Sequence, residues 1–449
     1  MSTTLPPGPR MPALLQMIGN WSRPTGFLER ASRRYGKRFT IRFLGQSPIV
    51  MISDPDEIKQ VFQAPPDVLH PGEGARILEP IVGPNSVILL DEDPHLEQRK
   101  LLLPSFHGEK MQALSGLMEE LTEREVESWP RDEVVTLHPR LQNLTLEIIL
   151  RAVFGLKRGA QLEELRDLLT RVLAFGESPL SLMPPLPPVF ERVGPIARLQ
   201  RIGERVDALI AELIEERRRD GGGDDVLSLL LSARHEDGSP MSNAELRDEL
   251  VTALVAGHET TASQLAWTFS RLAREPAALA RVHEEIDGGE GDAYMSAAIT
   301  EAMRLHPVLM NAEPRMVVKP FDSGSFVYPP NVAIFVSAYL VHHDPEIYPD
   351  PYAFRPQRFI DNPPGTYTWI PFGGGRRRCL GASFAQLEMK IVMRAVLERF
   401  TISPDEPAPE PARRRAITIS PARGCRVILT DRAARGEAES RAPALAVTA

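Results

Sequence analysis

The sequence predicts a mainly α-helical fold with small β-sheets. Apolar residues recur at helical spacing over long stretches, and the stretch 243–274 is apolar nearly all round between Leu250 and Leu272. Segments with strand-like alternation are few and short by comparison. No long Gly/Ser linker and no internal repeat divides the 449 residues. We therefore expect one α-rich domain, 1–449, in which the helix at 243–274 is buried.

Helices are predicted where helical apolar spacing follows residues suited to a first turn, as it does after Asp54 and Pro55. A helical region with breaks is expected from 94 to 154. Further helices are expected at 25–35, 54–62, 160–173, 194–219, 243–274 and 382–400.

Strands are predicted as a hairpin near the N-terminus and as a few isolated segments later in the chain. The hairpin is expected from 38–44 and 47–52, which flank Gly45-Gln46. The later strands are expected at 314–318, 332–337 and 416–419, with 426–429 as a return strand.

Two segments rich in proline are not expected to form regular structure. The segment 63–89 is rich in Pro and Gly and is predicted to be mostly loop. In 177–190 there are too many prolines for a helix to continue. Because 177–190 is also apolar, it is either a mobile lid over an apolar pocket or a packed surface loop.

The composition excludes several function classes. The chain has 52 Lys and Arg residues and 60 Asp and Glu residues, so its formal net charge is −8, which argues against binding to nucleic acid. Its two cysteines, Cys379 and Cys425, are too few for a disulfide framework or a Cys-rich zinc site. This cysteine usage favours a reducing, cytoplasmic location.

The chain ends carry no targeting signal that we recognise. No apolar run is long enough for a transmembrane helix, and the N-terminus lacks the basic and apolar regions of a signal peptide. Residues 1–10 form a Pro-rich leading segment that we expect to be rigid. The polar, Ala-rich residues 433–449 are expected to be a disordered tail.

A glycine-rich loop with three arginines surrounds Cys379, just before the predicted helix 382–400. A thiolate at that place gains from the positive helix N-terminus and from the arginines. Glycines let backbone N–H groups approach the sulfur. These local features suit a metal-binding or reactive thiolate, but a buried cysteine acting as a small apolar residue explains them equally well.

The amino-acid sequence of this loop resembles the haem-binding signature of the cytochromes P450, F-x-x-G-x-R-x-C-x-G. Its defined positions are occupied by Phe372, Gly375, Arg377, Cys379 and Gly381. The resemblance, to the soluble bacterial type, implies a triangular α-rich prism that holds haem b between a long central helix and the cysteine loop. It also implies that Cys379 is the thiolate ligand of the iron.

A polar motif interrupts the predicted central helix. A glycine, a carboxylate and two threonines are unfavourable in a buried helix, and a threonine can bond to the carbonyl one turn earlier and open the helix. The run 256–261 resembles the family motif (A/G)-G-x-(D/E)-T-(T/S). That resemblance implies that Thr260 hydrogen-bonds the oxygen bound at iron and that Glu259 passes protons from solvent. A kink without chemical meaning is the alternative.

A second charged motif is expected to be structural. Glu301 and Arg304 share one helix face, which by itself is typical of a surface pair. The pair and the residues after it resemble the family's E-x-x-R motif, and 356–359 resembles its P-E-R-F segment, with Gln357 in place of Glu. The resemblance implies a charge triad of Glu301, Arg304 and Arg358 behind the haem loop.

Four residues match positions that bind the haem propionates in the family. His95 and Arg99 have i, i+4 spacing, Arg315 follows the E-x-x-R helix, and Arg377 belongs to the signature. Taken alone, His95 would be interpreted as a surface histidine. The implied cofactor-binding set is His95, Arg99, Arg315, Phe372, Arg377 and Cys379.

The implied function is that of a haem-thiolate monooxygenase that uses dioxygen to hydroxylate or epoxidise an apolar small molecule of the terpene, fatty acid, steroid or polyketide type. Electrons would come from NAD(P)H through a ferredoxin or flavodoxin and its reductase, to a monomeric enzyme. We expect the ferredoxin or flavodoxin to dock on Lys100, Arg376 and Arg378.

The substrate pocket is expected to draw on 65–90, 176–195, 254–260, 308–312 and the turn near Ile417. Two other functions stay open: a P450-like peroxygenase or isomerase without an electron donor, and a non-catalytic haem sensor. The pair Glu259–Thr260 counts against both, because neither needs an acid beside an alcohol for proton delivery.

Overall fold

Helices dominate the computed structural model, which describes residues 5–106, 109–155, 159–176, 195–223, 225–289 and 291–432. The predicted fold class, mainly helical with small sheets, is confirmed. In chain order the helices are α1 Ala13–Ser22, α2 Pro24–Tyr35, α3 Pro55–Gln63, α4 Pro71–Gly74, α5 Glu79–Val82, α6 Glu92–Leu102, α7 Glu109–Glu127, α8 Leu137–Phe154, α9 Ala160–Gly176, α10 Pro195–Asp220, α11 Val226–Ser232, α12 Asn243–Gly257, α13 Glu259–Leu272, α14 Pro276–Gly288, α15 Ala293–Leu305, α16 Ala338–His342, α17 Gln357–Asp361 and α18 Ala382–Arg399.

The strands form four small sheets. In chain order the strands are β1 Arg38–Ile41, β2 Ile49–Ile52, β3 Leu69–His70, β4 Val134–Thr136, β5 Arg315–Val317, β6 Phe321–Asp322, β7 Val327–Tyr328, β8 Ala333–Val336, β9 Phe400–Pro404, β10 Ala412–Arg415, β11 Thr418–Pro421 and β12 Arg426–Asp431. The largest sheet has the order β1-β2-β8-β5-β3, in which β1 and β2 are the predicted antiparallel hairpin and β2 runs parallel to β8. The others are β4-β12-β9, β10-β11 and β6-β7.

Two sequence-based expectations about strands and loops were wrong. The strand β12 is not the return strand of β11, because the chain between them turns at Gly424 (φ +77°) and Cys425 (φ +58°). It pairs instead with β9 and with β4, a strand too short to be recognised from its pattern. The segment 63–89 was predicted to be mostly loop, but it contains β3, α4, α5 and a 3-10 helix at Arg76–Leu78.

The predicted central helix is two helices, α12 and α13, which meet at His258. Threonine hydroxyls make the break, because Oγ1 of Thr260 donates to the Ala256 carbonyl at 2.7 Å and Oγ1 of Thr261 to the Gly257 carbonyl at 3.1 Å. From α8, Oγ1 of Thr145 donates to the His258 carbonyl at 3.0 Å. The first of the two helices, α12, begins with a capping box at Ser242.

The break lies inside the largest apolar cluster, which packs α8 against α12 and α13. Gly257 faces Ile149 of α8, and a Cβ added there would lie 3.0 Å from the Ile149 side chain. A larger residue at this position would therefore force the Ile149 side chain to move. At its other end α13 is fixed by Trp267, which stacks on His306 with ring centroids 4.0 Å apart and donates to the Ile419 carbonyl at 3.0 Å.

Three segments named in the sequence analysis lie wholly or partly outside the described residues. These are the Pro-rich segment within 177–194, the tail 433–449 and the first four residues. Among the helices that are described, none combines the length and the apolar character needed to cross a bilayer.

The charges of Glu301, Arg304 and Arg358 are in contact. Glu301 and Arg304 are both fully buried, with Arg304 Nε 2.7 Å from Oε2 and Arg358 Nε 3.1 Å from Oε1 of Glu301. Arg304 also donates to the carbonyls of His342 and Pro351, each at 2.7 Å. The arginine therefore ties α15 to α16 and to the chain that leads into α17.

Replacing Glu301 with glutamine should lower the free energy of unfolding by about 3–5 kcal/mol, because Arg304 is then buried without its counter-charge. Urea unfolding followed by circular dichroism measures the loss. The matched control is Glu163→Gln, which breaks the exposed pair with Arg166 at the same i, i+3 spacing and should cost less than about 1 kcal/mol. Equal losses in the two variants would contradict this account.

Candidate functional site

The loop before α18 owes its shape to glycines at places where no side chain fits. A Cβ at Gly374 would lie 2.3 Å from the Phe62 ring, and Gly375 combines φ +64° with a Cβ position 2.3 Å from the Phe62 carbonyl oxygen. The loop thus lies directly on the end of α3. The Cys379 N–H closes it by donating to the Phe372 carbonyl at 3.0 Å.

The Cys379 thiol is largely surrounded by protein. Its residue keeps an exposed surface, yet so much protein surrounds the sulfur that burial raises the pKa of the thiol. The backbone N–H of Gly381 and the charges of Arg99 and Arg378 act in the opposite direction on that pKa. By contrast, Cys425 is fully buried, and burial raises the pKa of its thiol.

One face of the central helix opens on accessible space. Ala256 is exposed although it belongs to a helix of the core, and its neighbours Leu254 and His258 are buried. Thr260, one turn later on the same face, is partly exposed. We infer that this surface belongs to a cleft that Cys379 and its neighbouring arginines also line.

The carboxylate of Glu259 belongs to a different set of contacts. Its Oε2 accepts from Gln142 Nε2 at 2.6 Å and its Oε1 accepts from Ser263 Oγ at 2.9 Å, while His138 Nε2 is 3.6 Å from Oε1. Burial raises the pKa of Glu259, but His138 and Gln142 outweigh it, so the pKa is lowered. Among the described residues, Thr260 takes no part in this network.

The histidine and the arginines that are predicted to bind propionates lie close enough to one another for their charges to interact. Burial, together with the charges of Arg377 and Arg99, lowers the pKa of His95 to about 3, so its ring is neutral at physiological pH. Arg99 donates to the Arg378 carbonyl at 2.8 Å, and Arg315 to the Glu313 carbonyl at 3.0 Å.

Arg377 joins the cysteine loop to the segment before α6. Its Nη1 donates to the Val87 carbonyl at 2.9 Å, and its Nη2 is 2.7 Å from Asp91 Oδ1 and also donates to the Leu90 carbonyl. The two elements are therefore fixed to each other at the edge of the cleft.

The charge balance of this group fits an anionic cofactor. Burial lowers the pKa of all three arginines, of Arg315 to about 10. The nearby acids are Asp91 and Glu313, and burial raises the pKa of Glu313. Three guanidiniums against two carboxyls, one of them disfavoured as an anion, leave room for further negative charge. Two haem propionates would supply it, with Cys379 as the soft ligand for iron.

The expected substrate-contact residues are only partly on open surface. Leu254, Val308 and Met310 are buried among neighbouring apolar side chains, whereas Leu309 keeps some accessible area and Ile417 is 46% exposed. Of these positions, Leu309 and Ile417 are the ones that could contact a bound molecule without a shift of the core.

Several residues of the site were missed from the sequence. Glu388 of α18 is fully buried against Thr261, and burial raises the pKa of its carboxyl. His138 and Gln142 stand far before Glu259 in the chain, so no local spacing indicates their contact. The missed set is Asp91, His138, Gln142, Ser263, Glu313 and Glu388.

Comparisons with known proteins agree with this geometry. The family model described as Cytochrome P450 matches residues 4–425. A Mycobacterium tuberculosis protein assigned as cytochrome P450 138 is 39% identical over 431 residues, which cover 95% of this chain and 97% of that protein. Another from the same species, assigned as cytochrome P450 135B1, is 35% identical over 434 residues, covering 95% and 91%.

Solved structures show the same fold. The retinoic acid-bound cyanobacterial CYP120A1 superposes with a TM-score of 0.83 at 23% identity, covering 96% of this chain and all of that one. The cytochrome P450DA heme domain superposes with a TM-score of 0.81 at 23% identity, covering 95% and 98%. With the family model and these relatives, the cysteine loop and the cationic cleft establish that the chain belongs to the cytochrome P450 family.

Proposed function

We propose that the chain binds haem b through the Cys379 thiolate and uses dioxygen to hydroxylate or epoxidise an apolar small molecule. As a cytochrome P450, it is an oxidoreductase of the monooxygenase class. The observation that carries the ligand assignment is the cysteine loop, where glycine packing on Phe62 fixes a loop that ends in an exposed free cysteine.

Haem, when bound, supplies the iron at which dioxygen is reduced, and a thiolate ligand favours cleavage of the O–O bond. Burial raises the pKa of the Cys379 thiol, and the Gly381 N–H and the charges of Arg99 and Arg378 offset part of that rise in favour of the thiolate. His95, Arg99, Arg315 and Arg377 would hold the propionates, and the neutral ring of His95 could donate one N–H to them. Phe372 packs beside the loop against the apolar core.

Thr260 is proposed to take part in proton delivery in the cleft. Its hydroxyl proton points to the Ala256 carbonyl at 2.7 Å, so its oxygen can accept a hydrogen bond from a group in the cleft. Rotation of the hydroxyl would let it donate instead. Glu259 is the adjacent acid, and its carboxylate contacts Gln142 and His138 of α8 rather than the Thr260 hydroxyl.

Electrons are proposed to come from NAD(P)H through a separate ferredoxin or flavodoxin and its reductase. Arg376 and Arg378 are exposed beside Cys379 and form no ion pair with the described residues. Lys100, which the sequence placed in the same basic surface, is 2.8 Å from Glu236 and is partly neutralised by it. The docking surface therefore centres on the two arginines.

Neither alternative function is favoured by the structure. A peroxygenase, an isomerase or a haem sensor has no evident use for a carboxylate held by three polar groups beside an exposed threonine. The experiments below also separate these functions, because only the monooxygenase needs electrons for each product formed.

Cys379→Ala should abolish the carbon-monoxide difference band typical of a thiolate-bound haem, while Cys425→Ala should keep it. The reason is that Cys379 keeps exposed surface, whereas Cys425 is fully buried in the core. The reduced, carbonylated spectrum of each purified variant gives the answer. A retained band in Cys379→Ala would refute the ligand assignment.

Thr260→Ala should keep haem content and substrate-induced spectral shifts, but product formed per NADPH should fall about tenfold, the effect of one lost hydrogen bond. The missing electrons should appear as hydrogen peroxide. Thr268→Ala is the control, because Thr268 makes the same back-bond, to the Gln264 carbonyl at 2.8 Å, but is fully buried. Unchanged coupling in Thr260→Ala would remove this residue from proton delivery.

Arg376→Glu should slow reduction by an acidic ferredoxin about tenfold at low salt, because complementary charge raises the rate of encounter. The effect should fade at high ionic strength. Stopped-flow reduction of the haem measures the rate, with Arg33→Glu as a control at an exposed arginine of α2. Equal rates for both variants at every salt concentration would exclude docking through the arginines.

A further inference from the structure

A chain of polar groups links α8 to the carboxylate of Glu259. Ser263, one turn after Glu259 on α13, donates from Oγ to Glu259 Oε1 at 2.9 Å, and His138 Nε2 of α8 lies 3.1 Å from the same Oγ. A serine hydroxyl has a single proton. Since Ser263 gives that proton to Glu259, it can only accept from His138, and Nε2 must carry a hydrogen.

His138 is held rigidly and away from solvent. Its side chain has no accessible surface, and its backbone N–H donates to the Gly424 carbonyl at 3.0 Å. The ring nitrogen Nδ1 is buried and has no hydrogen-bond partner among the described residues. A buried imidazole that is only half satisfied is costly, and apolar packing would have avoided that cost.

We propose that His138 is a positioning residue for proton delivery, which acts through Ser263 to keep the Glu259 carboxylate turned toward α8. The proposal rests on the proposed role of Glu259 and Thr260 in the monooxygenase. Gln142, also on α8, supports the same position of the carboxylate by donating to Oε2 at 2.6 Å. The Glu259 carboxylate is then held between α8 and α13.

Few other charged groups act on this carboxylate. His138 faces it from α8, and His258 precedes it at the helix break. Burial lowers the pKa of His258, so that ring is neutral near pH 7. From α18, Glu388 contacts Thr261 rather than Glu259. The pH dependence of the Glu259 carboxyl should therefore follow mainly the donors from α8 and Ser263.

The test is an infrared titration of the carboxyl band in the haem-loaded ferric protein, with the Glu259 band identified by its loss in Glu259→Gln. Donors to a carboxylate lower its pKa, so His138→Leu should move the titration up by about one pH unit or more. His138→Gln should stay within half of that shift, because its amide keeps an N–H near Nε2. Should His138→Leu fail to fold, Ser263→Ala should show the same upward shift.

An unchanged titration in His138→Leu and Ser263→Ala would overturn the proposal, as would an equal shift in His138→Gln. The second readout is the pH at which product formed per NADPH falls by half, which should move with the titration in His138→Leu. A titration that moves without that pH would also overturn the positioning role. The infrared measurement involves no turnover, so a failure of the proposed function, shown by Cys379→Ala, is distinguished from a failure of this inference.

Discussion

The contact of two glycines with Phe62 fixes the loop on which the rest of the site depends. No side chain larger than hydrogen fits at Gly374 or Gly375 without displacing α3. This contact sets the direction in which the chain leaves toward Cys379, and the bond from the Cys379 N–H to Phe372 holds it. Packing within the protein thus constrains the position of the thiol.

Hydrogen bonds connect that loop to the neighbouring segments of the chain. Arg377 reaches the carbonyls of the segment before α6, and Arg99 of α6 reaches back to the carbonyl of Arg378. The arginines that close these contacts are also the charges at the edge of the cleft, and burial lowers their pKa. An anionic group in the cleft would relieve the same cost, so structure and cofactor binding are coupled.

Local patterns in the sequence predicted the elements well where one periodicity prevails. The hairpin of β1 and β2 and the helices α2, α3 and α18 lie where alternation and helical spacing place them. The central helix was predicted as continuous, although the threonine back-bond that divides it was recognised as possible. The pairing of β12 was missed because it depends on a turn at Gly424 and on the three-residue strand β4.

The residues of the site also fall into those that a local motif predicts and those that it does not. The cysteine loop and the positions of Glu259 and Thr260 could be found because they are written in short motifs. The partners of Glu259 could not, since His138 and Gln142 meet it only when α8 packs on α13. Burial of Glu301 and Arg304 was likewise invisible locally, because an i, i+3 ion pair looks the same on a surface and in a core.

A crystal structure of the haem-loaded protein tests the central claim most directly, with the iron located by its anomalous scattering. The account predicts continuous density from the iron to Sγ of Cys379 and both propionates against His95, Arg99, Arg315 and Arg377. Iron bound by any other residue, or propionates directed away from these side chains, would contradict it.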